Sequence, residues 1–303
     1  MMSGNGDTLL DPSEVEAINL FCTARVRELI YGEHASVFTG TGGFDFSGIR
    51  DFEPGDPQSR VDWAHSTTTL YNPLQVKECI EERSVNILIA ADISCSTRFG
   101  TPSALIGKGI ARAIATIGFS ASIFQDTVGL VLFPGWEYVI EAPRGGRRHV
   151  ERIVELYQTT APASALPGKE RLAETLAGEL RRTSMVVVAS DFLFPDLSLT
   201  LSELAELQHP HDVFLVMADS AFAYEFPDIA AGWIRCGDSE TGDLMYLSNS
   251  QFRELPELVR RHQEEVAALA ERAGLEILRI APDARQFQAA LVDFFMERRM
   301  RRR

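Results

Sequence analysis

The stretch that decides the fold is VNILIAADISCST, residues 85–97. It is almost entirely apolar and carries no charge before Asp92, which is typical of a parallel strand buried on both faces. Asp92, Ser94 and Ser96 then place short oxygen-bearing side chains at alternating positions. The apolar segment 104–123 that follows has the length and spacing of a helix. We therefore expect a ligand-binding crevice at the loop between the end of this strand and the start of the helix.

The composition narrows the class of protein. The chain has 303 residues, of which 45% are hydrophobic and 24% charged, as in ordinary globular proteins. Its net charge of −14 argues against a general nucleic-acid binder. We expect no membrane span, because Lys108 and Arg112 interrupt the most apolar segment. Since the four cysteines form no C-x-x-C pair, we expect reduced thiols in a cytoplasmic protein.

Strands and helices alternate along the chain from residue 85 onward. Strands are predicted at 85–91, 127–133, 137–141, 184–190, 211–217 and 275–280. Helices are predicted at 104–123, 147–157, 170–181, 199–208, 254–273 and 284–299. This alternation predicts an α/β fold with right-handed crossovers and a mostly parallel sheet. Residues 137–141 should return antiparallel to the preceding strand, as a hairpin at the edge of that sheet.

The chain divides into an N-terminal extension, residues 1–83, and a main α/β domain, residues 84–303. The extension should contain an amphipathic helix at 12–31, followed by a β-rich part packed on the main domain. A second hairpin is expected as an insertion near 232–248, with its turn at Glu240-Thr-Gly-Asp.

A second apolar strand also ends in an acidic residue, in Met185-Val-Val-Val-Ala-Ser-Asp191. If this strand neighbours the one that ends in Asp92, both carboxylates reach the same crevice. Carboxylate and hydroxyl oxygens are the ligands that Mg²⁺ prefers. The sequence therefore predicts a magnesium site formed by Asp92, Ser94, Ser96 and Asp191.

Six ordered motifs give the chain a resemblance to the bacterial family called domain of unknown function 58. The motifs are Ile49-Arg-Asp-Phe-Glu-Pro-Gly-Asp-Pro, Arg60-Val-Asp-Trp, Glu81-Glu-Arg, Gly145-Gly-Arg-Arg-His, Ser190-Asp-Phe and Asp238-Ser-Glu-Thr-Gly-Asp. The resemblance runs from about Phe38 to Phe295, which is most of the chain. Members of this family resemble von Willebrand factor A domains, so the resemblance implies a Rossmann-like sheet flanked by helices.

The resemblance also implies a function. Von Willebrand factor A domains carry a metal-ion-dependent adhesion site built from two serines and an aspartate in one loop, a threonine in a second and an aspartate in a third. Asp92, Ser94, Ser96 and Asp191 match the first and third loops. The metal of such a site leaves a coordination position open for a partner's carboxylate. Association of the family with MoxR-type AAA+ ATPases implies a non-catalytic interaction module that acts in the assembly or maturation of an unknown client protein.

The chain departs from that pattern in the second loop. The threonine should fall in Leu166-Pro-Gly-Lys-Glu-Arg, where this chain has Lys169. A lysine ammonium near two carboxylates can replace the cation, because it supplies positive charge itself. Thr159 or Thr160 is an alternative second-loop ligand, although both lie nearer the preceding helix. Bound Mg²⁺ and a lysine in its place therefore both stay open.

A Mg²⁺-dependent phosphohydrolase of the haloacid-dehalogenase type is the rival interpretation. In this interpretation Asp92 would be the nucleophile and a later lysine would stabilise its negative charge. Asp191 and Asp196 would bind the metal. Such enzymes carry a second aspartate two residues later as general acid, and that position here is Ser94. Because a hydroxyl protonates a leaving group poorly near neutral pH, we expect a protein that is not an enzyme.

Overall fold

The computed structural model describes residues 9–25, 38–40, 45–53, 56, 58–66, 74–81, 85–101, 104–134, 138–163, 171–193, 196–225, 232–238, 243–281 and 283–301. Its helices are α1 Pro12–Arg25, α2 Trp63–Ser66, α3 Ile106–Ile123, α4 Arg147–Thr159, α5 Leu172–Glu179, α6 Leu197–Glu206, α7 Asn249–Arg272 and α8 Ala284–Arg301. Its strands are β1 Phe38–Gly40, β2 Asp45–Asp51, β3 Gln75–Glu81, β4 Asn86–Asp92, β5 Gly100–Thr101, β6 Ala104–Leu105, β7 Thr127–Phe133, β8 Val139–Arg144, β9 Met185–Ser190, β10 Asp212–Ala218, β11 Trp233–Gly237, β12 Leu244–Ser248 and β13 Glu276–Ile280. Among the helices in these ranges, none combines the length and apolarity needed to cross a bilayer.

The central sheet runs in the order β13-β10-β9-β4-β7-β8. Neighbouring strands from β13 to β7 are parallel, and β8 runs antiparallel to β7. The prediction of a mostly parallel sheet with a hairpin at its edge is therefore confirmed. The fold is α/β and Rossmann-like, with helices covering both faces of the sheet.

Alternating side chains of β4 pack into two separate layers. Ile87 and Ile89 join the layer formed with α1, α3, α4 and α8, whereas Leu88 and Ala90 join the layer formed with α5, α6 and α7. Every residue of β4 is buried, as the apolar run predicted. Full burial of one such aliphatic side chain contributes about 1.5–3 kcal/mol, so this strand anchors both layers.

The N-terminal helix α1 is fastened to α3. Ile18 and Cys22 are buried in the same cluster as α3. The Glu14 carboxylate lies 2.9 Å from the Lys108 ammonium and 3.1 Å from the Arg112 guanidinium. The predicted packing of this helix on the main domain is thus observed, whereas the domain boundary at residue 84 stays a prediction.

A separate three-stranded sheet has the order β1-β3-β2.

Two helices begin at a residue other than the predicted one because of a local interaction. Helix α3 begins at Ile106 rather than 104, because residues 104–105 pair with 100–101 as a short ribbon. Helix α7 begins at Asn249 rather than 254, because Ser248 forms a capping box with Gln251. Those reciprocal hydrogen bonds satisfy the first orphan amides of the helix. The helix continues through Pro256, which lies inside it.

The remaining differences in element boundaries are small. The predicted elements 137–141, 170–181 and 199–208 are observed as Val139–Arg144, Leu172–Glu179 and Leu197–Glu206. The edge strand β8 runs further than predicted because Arg144 pairs with Val128. It does so despite Pro143, which lies where the register between the two strands shifts, a position at which an edge strand tolerates proline. The predicted helix at 12–31 is observed to Arg25, and its last residues lie outside the described part of the chain.

The second predicted hairpin is confirmed as the antiparallel ribbon β11–β12, which packs against α7. Its predicted turn, residues 240–243, lies almost wholly outside the described ranges.

Helix α7 reaches well past the sheet. The side-chain amide of Gln263 donates to the carbonyl of Ala218, the last residue of β10, at 3.2 Å. Residues 249–262, roughly 20 Å of helix, therefore extend beyond the carboxyl edge of the sheet.

Candidate metal centre

The candidate site lies at the carboxyl ends of the adjacent strands β4 and β9. Asp92 is the last residue of β4, and Asp191 follows the last residue of β9. Ala91 pairs with Ala189, so the two aspartates leave the sheet at nearly the same level. Each is 1% exposed. The structure thus brings the two acidic strand ends together, as expected if their strands were neighbours.

The first loop turns its two serines toward each other. The backbone N–H of Ser94 donates to Asp92 Oδ1 at 2.7 Å, which bends the chain directly after the strand. Ser94 then precedes a short 3₁₀ helix at Cys95–Arg98. The hydroxyl oxygens of Ser94 and Ser96 lie 2.9 Å apart, and both side chains are buried. The alternation seen in the sequence therefore brings both hydroxyls to one side of the loop.

Ser190 belongs to the site although it was not among the predicted ligands. Its hydroxyl donates a short hydrogen bond to Asp92 Oδ2 and accepts one from the Phe192 N–H at 2.8 Å. It is fully buried. The signal in the sequence was its position, directly before Asp191 at the end of an apolar strand. We infer that Ser190 orients the Asp92 carboxylate.

The two buried carboxylates disfavour each other's negative charge. Burial, together with the nearby negative charge of Asp191, raises the pKa of Asp92 to about 7, although hydrogen bonds from Ser190 and Ser94 lower it. A cation between the carboxylates would relieve this repulsion. Within the described ranges no cluster of three or more His, Cys, Asp or Glu forms, so the donors here are carboxylate and hydroxyl oxygens. Such a donor set fits a hard cation such as Mg²⁺ rather than zinc.

The end of α4 supports the first loop from below. The buried Tyr157 hydroxyl donates to the Asp92 carbonyl at 3.1 Å, and burial raises the pKa of this phenol. The Arg98 guanidinium donates to the carbonyls of Tyr157 and Thr160, at 3.1 and 3.2 Å. A cation on the last carbonyls of a helix complements the negative end of its dipole. Arg98 therefore joins the loop to α4.

The second loop runs beside the first as far as the structure describes it. The Ala163 N–H donates to the Ile93 carbonyl at 3.0 Å. Lys169 lies outside the described residues, so its placement relative to the carboxylates stays a prediction. The hydroxyls of Thr159 and Thr160, the alternative ligands, donate to carbonyls of their own helix, at Glu155 and Leu156.

The third loop is held from two sides. Asp191 Oδ1 accepts a hydrogen bond from the Leu193 N–H at 3.2 Å. Between them Phe192 adopts a φ of 57°, a left-handed conformation that bulky residues rarely take. The His262 Nε2–H donates to the Phe192 carbonyl at 2.9 Å, which fixes this turn to α7. All four predicted ligands are therefore held in place, and their binding of a metal stays a prediction.

Comparison with solved structures finds similar chains. One is an aerotolerance-related membrane protein from Bacteroides fragilis, crystallised with multiple mutations to serines; it is 13% identical and aligns over 71% of this chain and 100% of its own, with a TM-score of 0.44. Another is the conserved hypothetical protein BatB from Bacteroides thetaiotaomicron, 13% identical over 72% of this chain and 100% of its own, with a TM-score of 0.43. No curated protein matches the chain.

Comparison with protein families gives a match that covers more than half of the chain. The family described as Protein of unknown function DUF58 matches residues 48–266. This range includes both acidic strand ends, Asp92 and Asp191, and all six motifs in full. The last motif of the ordered series is Asp238-Ser-Glu-Thr-Gly-Asp. The chain therefore belongs to the DUF58 family.

Proposed function

We propose that this chain is a non-catalytic protein-interaction module whose crevice holds Mg²⁺ and, through it, a carboxylate of a partner protein. The observation that carries the proposal is the pair of buried carboxylates, Asp92 and Asp191, at the ends of adjacent strands. Burial and mutual repulsion raise the pKa of Asp92, so the crevice favours a positive charge. The oxygen-only donor set supports a hard divalent cation as that charge.

Asp92, Ser94, Ser96 and Asp191 would hold the ion. Bound Mg²⁺ supplies a coordination position to which an anionic oxygen of the partner can bind. A Lys169 ammonium in its place would neutralise the same carboxylates but would offer hydrogen bonds instead of a coordination position. The two arrangements therefore differ in whether the protein binds added Mg²⁺.

The state of Asp92 supports a role in binding rather than in hydrolysis. Both of its carboxylate oxygens accept hydrogen bonds, Oδ1 from the Ser94 amide and Oδ2 from the Ser190 hydroxyl. These bonds orient the carboxylate and leave each oxygen a further lone pair for a cation, whereas hydrolysis would also need a general acid at position 94, which is a serine. For partners we propose a MoxR-type AAA+ ATPase and a client protein, as the family resemblance implies. We place the interaction in the cytoplasm, as expected for a chain whose four cysteines are scattered and form no C-x-x-C pair.

Calorimetric titration with Mg²⁺ tests the metal. We expect binding to the wild type and its loss in Asp92→Asn, which keeps the shape of the side chain but removes the charge. Asp126→Asn is the matched control, because Asp126 is also buried but accepts the Val85 N–H at the opposite end of the sheet. Flat traces for the wild type would refute the metal and favour the lysine alternative.

Binding to a MoxR-type AAA+ ATPase from the same organism tests the partner. With wild type, Asp92→Asn and Asp126→Asn immobilised in turn, we expect the ATPase to be retained by the first and third proteins only. Retention by all three would show that the crevice is not the contact. Retention by none would exclude this class of partner.

A further inference from the structure

One face of the β11–β12 ribbon exposes large apolar side chains. Trp233 is 71% exposed, Tyr246 64% and Leu244 59%. The ribbon's register places these side chains on one face, because paired residues of an antiparallel ribbon point to the same side. Arg235, paired with Tyr246, lies in the middle of this face. We call Trp233, Arg235, Gly237, Leu244, Tyr246 and Ser248 the outer face of the ribbon.

The opposite face is the one that packs on the protein. Ile234, Cys236 and Leu247 alternate with the residues of the outer face and are half-buried, whereas Met245 on the same side is 47% exposed. The ribbon contacts α7. The exposure of the outer face is therefore a property of the folded chain, since the ribbon already uses its other face for packing.

The exposed area is about that of the largest apolar patch on a typical monomer, which is often functional. Because a large aromatic side chain buries 150–250 Å², the exposed fractions of Trp233, Leu244 and Tyr246 leave roughly 400 Å² accessible. Contiguous apolar patches of several hundred Å² mark interaction sites. The area is about half of the ~800 Å² that each partner buries in an interface of standard size. Tryptophan, tyrosine and arginine are also the residues that dominate binding energy in interfaces.

The outer face is complementary in shape to a copy of itself. Each of its cross-strand pairs places a bulky residue beside a smaller or complementary one: Trp233 with Ser248, Tyr246 with Arg235, and Leu244 with Gly237. Consider a two-fold axis that is parallel to the strands and lies above the outer face, midway between β11 and β12. It places β11 of one copy over β12 of the other. Each residue then meets the second copy of its own cross-strand partner.

Gly237 gives this arrangement its most specific feature. A Cβ added at Gly237 would meet only the Leu244 Cδ2 atom, at 3.6 Å, which is an ordinary van der Waals contact. Crowding within one copy therefore does not require a glycine at this position. Its missing side chain leaves a notch beside Leu244, into which the Leu244 of a second copy fits.

We propose that two copies of this chain associate through the outer faces of their ribbons, with Leu244 of each copy seated over Gly237 of the other. Arg235 of each copy then stacks on Tyr246 of the other, a cation–π contact that places positive charge at the centre of an acidic protein's interface. This contact offsets part of the repulsion between two chains of net charge −14. Such a face-to-face contact is isologous and closes at the dimer.

Sedimentation velocity across a concentration series tests the proposal. We expect a weak, reversible monomer–dimer equilibrium with a dissociation constant on the order of 10 μM or above, because the patch is smaller than a specific interface of standard size. Trp233→Ser should weaken the dimer more than tenfold, as truncation of an aromatic hot spot does. Trp63→Ser is the matched control and should leave the equilibrium unchanged, because Trp63 is 60% exposed but lies on α2.

Gly237→Val separates this contact from non-specific stickiness. The valine adds apolar surface, so general hydrophobic association would become stronger. In the proposed dimer it fills the notch and should weaken association more than tenfold. Leu244→Ser should have the same effect from the other side of the contact. Circular dichroism of each variant would check that the chain is folded. A wild type that stays monomeric up to about 100 μM, or a Gly237→Val variant that dimerises as the wild type does, would overturn the proposal.

Discussion

Two buried aspartates lie at opposite ends of the central sheet and hold their charges in different ways. Asp92 faces a second carboxylate at the carboxyl edge. Asp126 lies at the amino edge, where its carboxylate accepts the Val85 N–H at 2.7 Å. Burial raises the pKa of Asp126 from 3.8 to about 6, against the lowering by that hydrogen bond. Charging Asp126 at neutral pH therefore costs the folded protein stability.

Asp126→Asn should change how stability depends on pH. Between pH 3.8 and about 6 the native carboxyl keeps a proton that the unfolded chain has lost, so this group lowers wild-type stability as pH rises. Asparagine removes that dependence. The stability of the variant relative to wild type should thus rise from pH 4 to 7, by on the order of 1 kcal/mol after solvent screening. Urea unfolding at both pH values measures it, and a pH-independent difference would contradict it.

At the residue scale the sequence predicted the acids better than their supports. Asp92 and Asp191 were predictable because each ends an apolar run, and such runs mark buried parallel strands. Ser190, Tyr157 and Arg98 were not singled out for their contacts with the loop. Tyr157 and Arg98 belong to different elements, and both bind backbone carbonyls. Because every residue has a carbonyl, the sequence does not indicate which one a side chain binds.

Helix α3 begins directly against the first loop. A Cβ added at Gly107 would lie 2.8 Å from the Thr97 carbonyl oxygen and 3.1 Å from the Tyr157 hydroxyl. Because the nearest atom belongs to the backbone, it cannot rotate away. The close approach of this helix to the loop after Asp92 therefore depends on a glycine.

Gly107→Ala should push the helix and the loop apart. We expect it to lower the free energy of unfolding by about 1–3 kcal/mol, as overpacking does, and to weaken Mg²⁺ binding. Gly178→Ala is the matched control. Nothing lies within 4 Å of a Cβ at Gly178 in helix α5, so alanine should raise stability by about 0.5–1 kcal/mol through helix propensity. Denaturant unfolding measures both, and equal effects would contradict the assigned close approach.

Element types were predictable from periodicity, but element ends depended on local contacts. The start of α7 shows why: Pro256 suggests a helix beginning near it, since proline fits a first turn. The reciprocal Ser248–Gln251 hydrogen bonds begin the helix earlier. A proline inside a helix costs about 3 kcal/mol, which is more than a cap contributes, so the helix also depends on tertiary packing that a sequence does not show.

At the scale of the molecule, a buried arginine joins the last helix to the sheet. Arg298 of α8 forms ion pairs with Asp212 and with Glu276 at 2.8 Å, the first residues of β10 and β13. Its guanidinium also lies 4.8 Å from the centre of the Phe214 ring. The side chain is only 5% exposed. Arg298 thus fastens the C-terminal helix to the amino ends of two strands.

Arg298→Leu should destabilise the whole fold. Removing the cation leaves two partly buried carboxylates without their guanidinium partner, and breaking such a pair costs about 3–5 kcal/mol. Arg260→Leu is the control, because Arg260 pairs with Glu225 at an exposed position and should change stability by less than about 1 kcal/mol. Thermal unfolding of both variants measures the difference. If Arg298→Leu lost as little stability as Arg260→Leu, the apolar contacts of the helix alone would hold it.

The proline in the edge strand β8 has a consequence for polymerisation. An open sheet can recruit further strands without limit if its outer amides are all available, which is how fibres grow. Pro143 has no N–H to donate and lies where the register between β7 and β8 shifts, and a proline with a bulge makes an edge strand a poorer template. The central sheet is therefore protected at this side against templated growth, although Val139 and Ile140 expose apolar surface there. A Pro143→Thr chain would restore the missing donor and should be the more fibre-prone of the two.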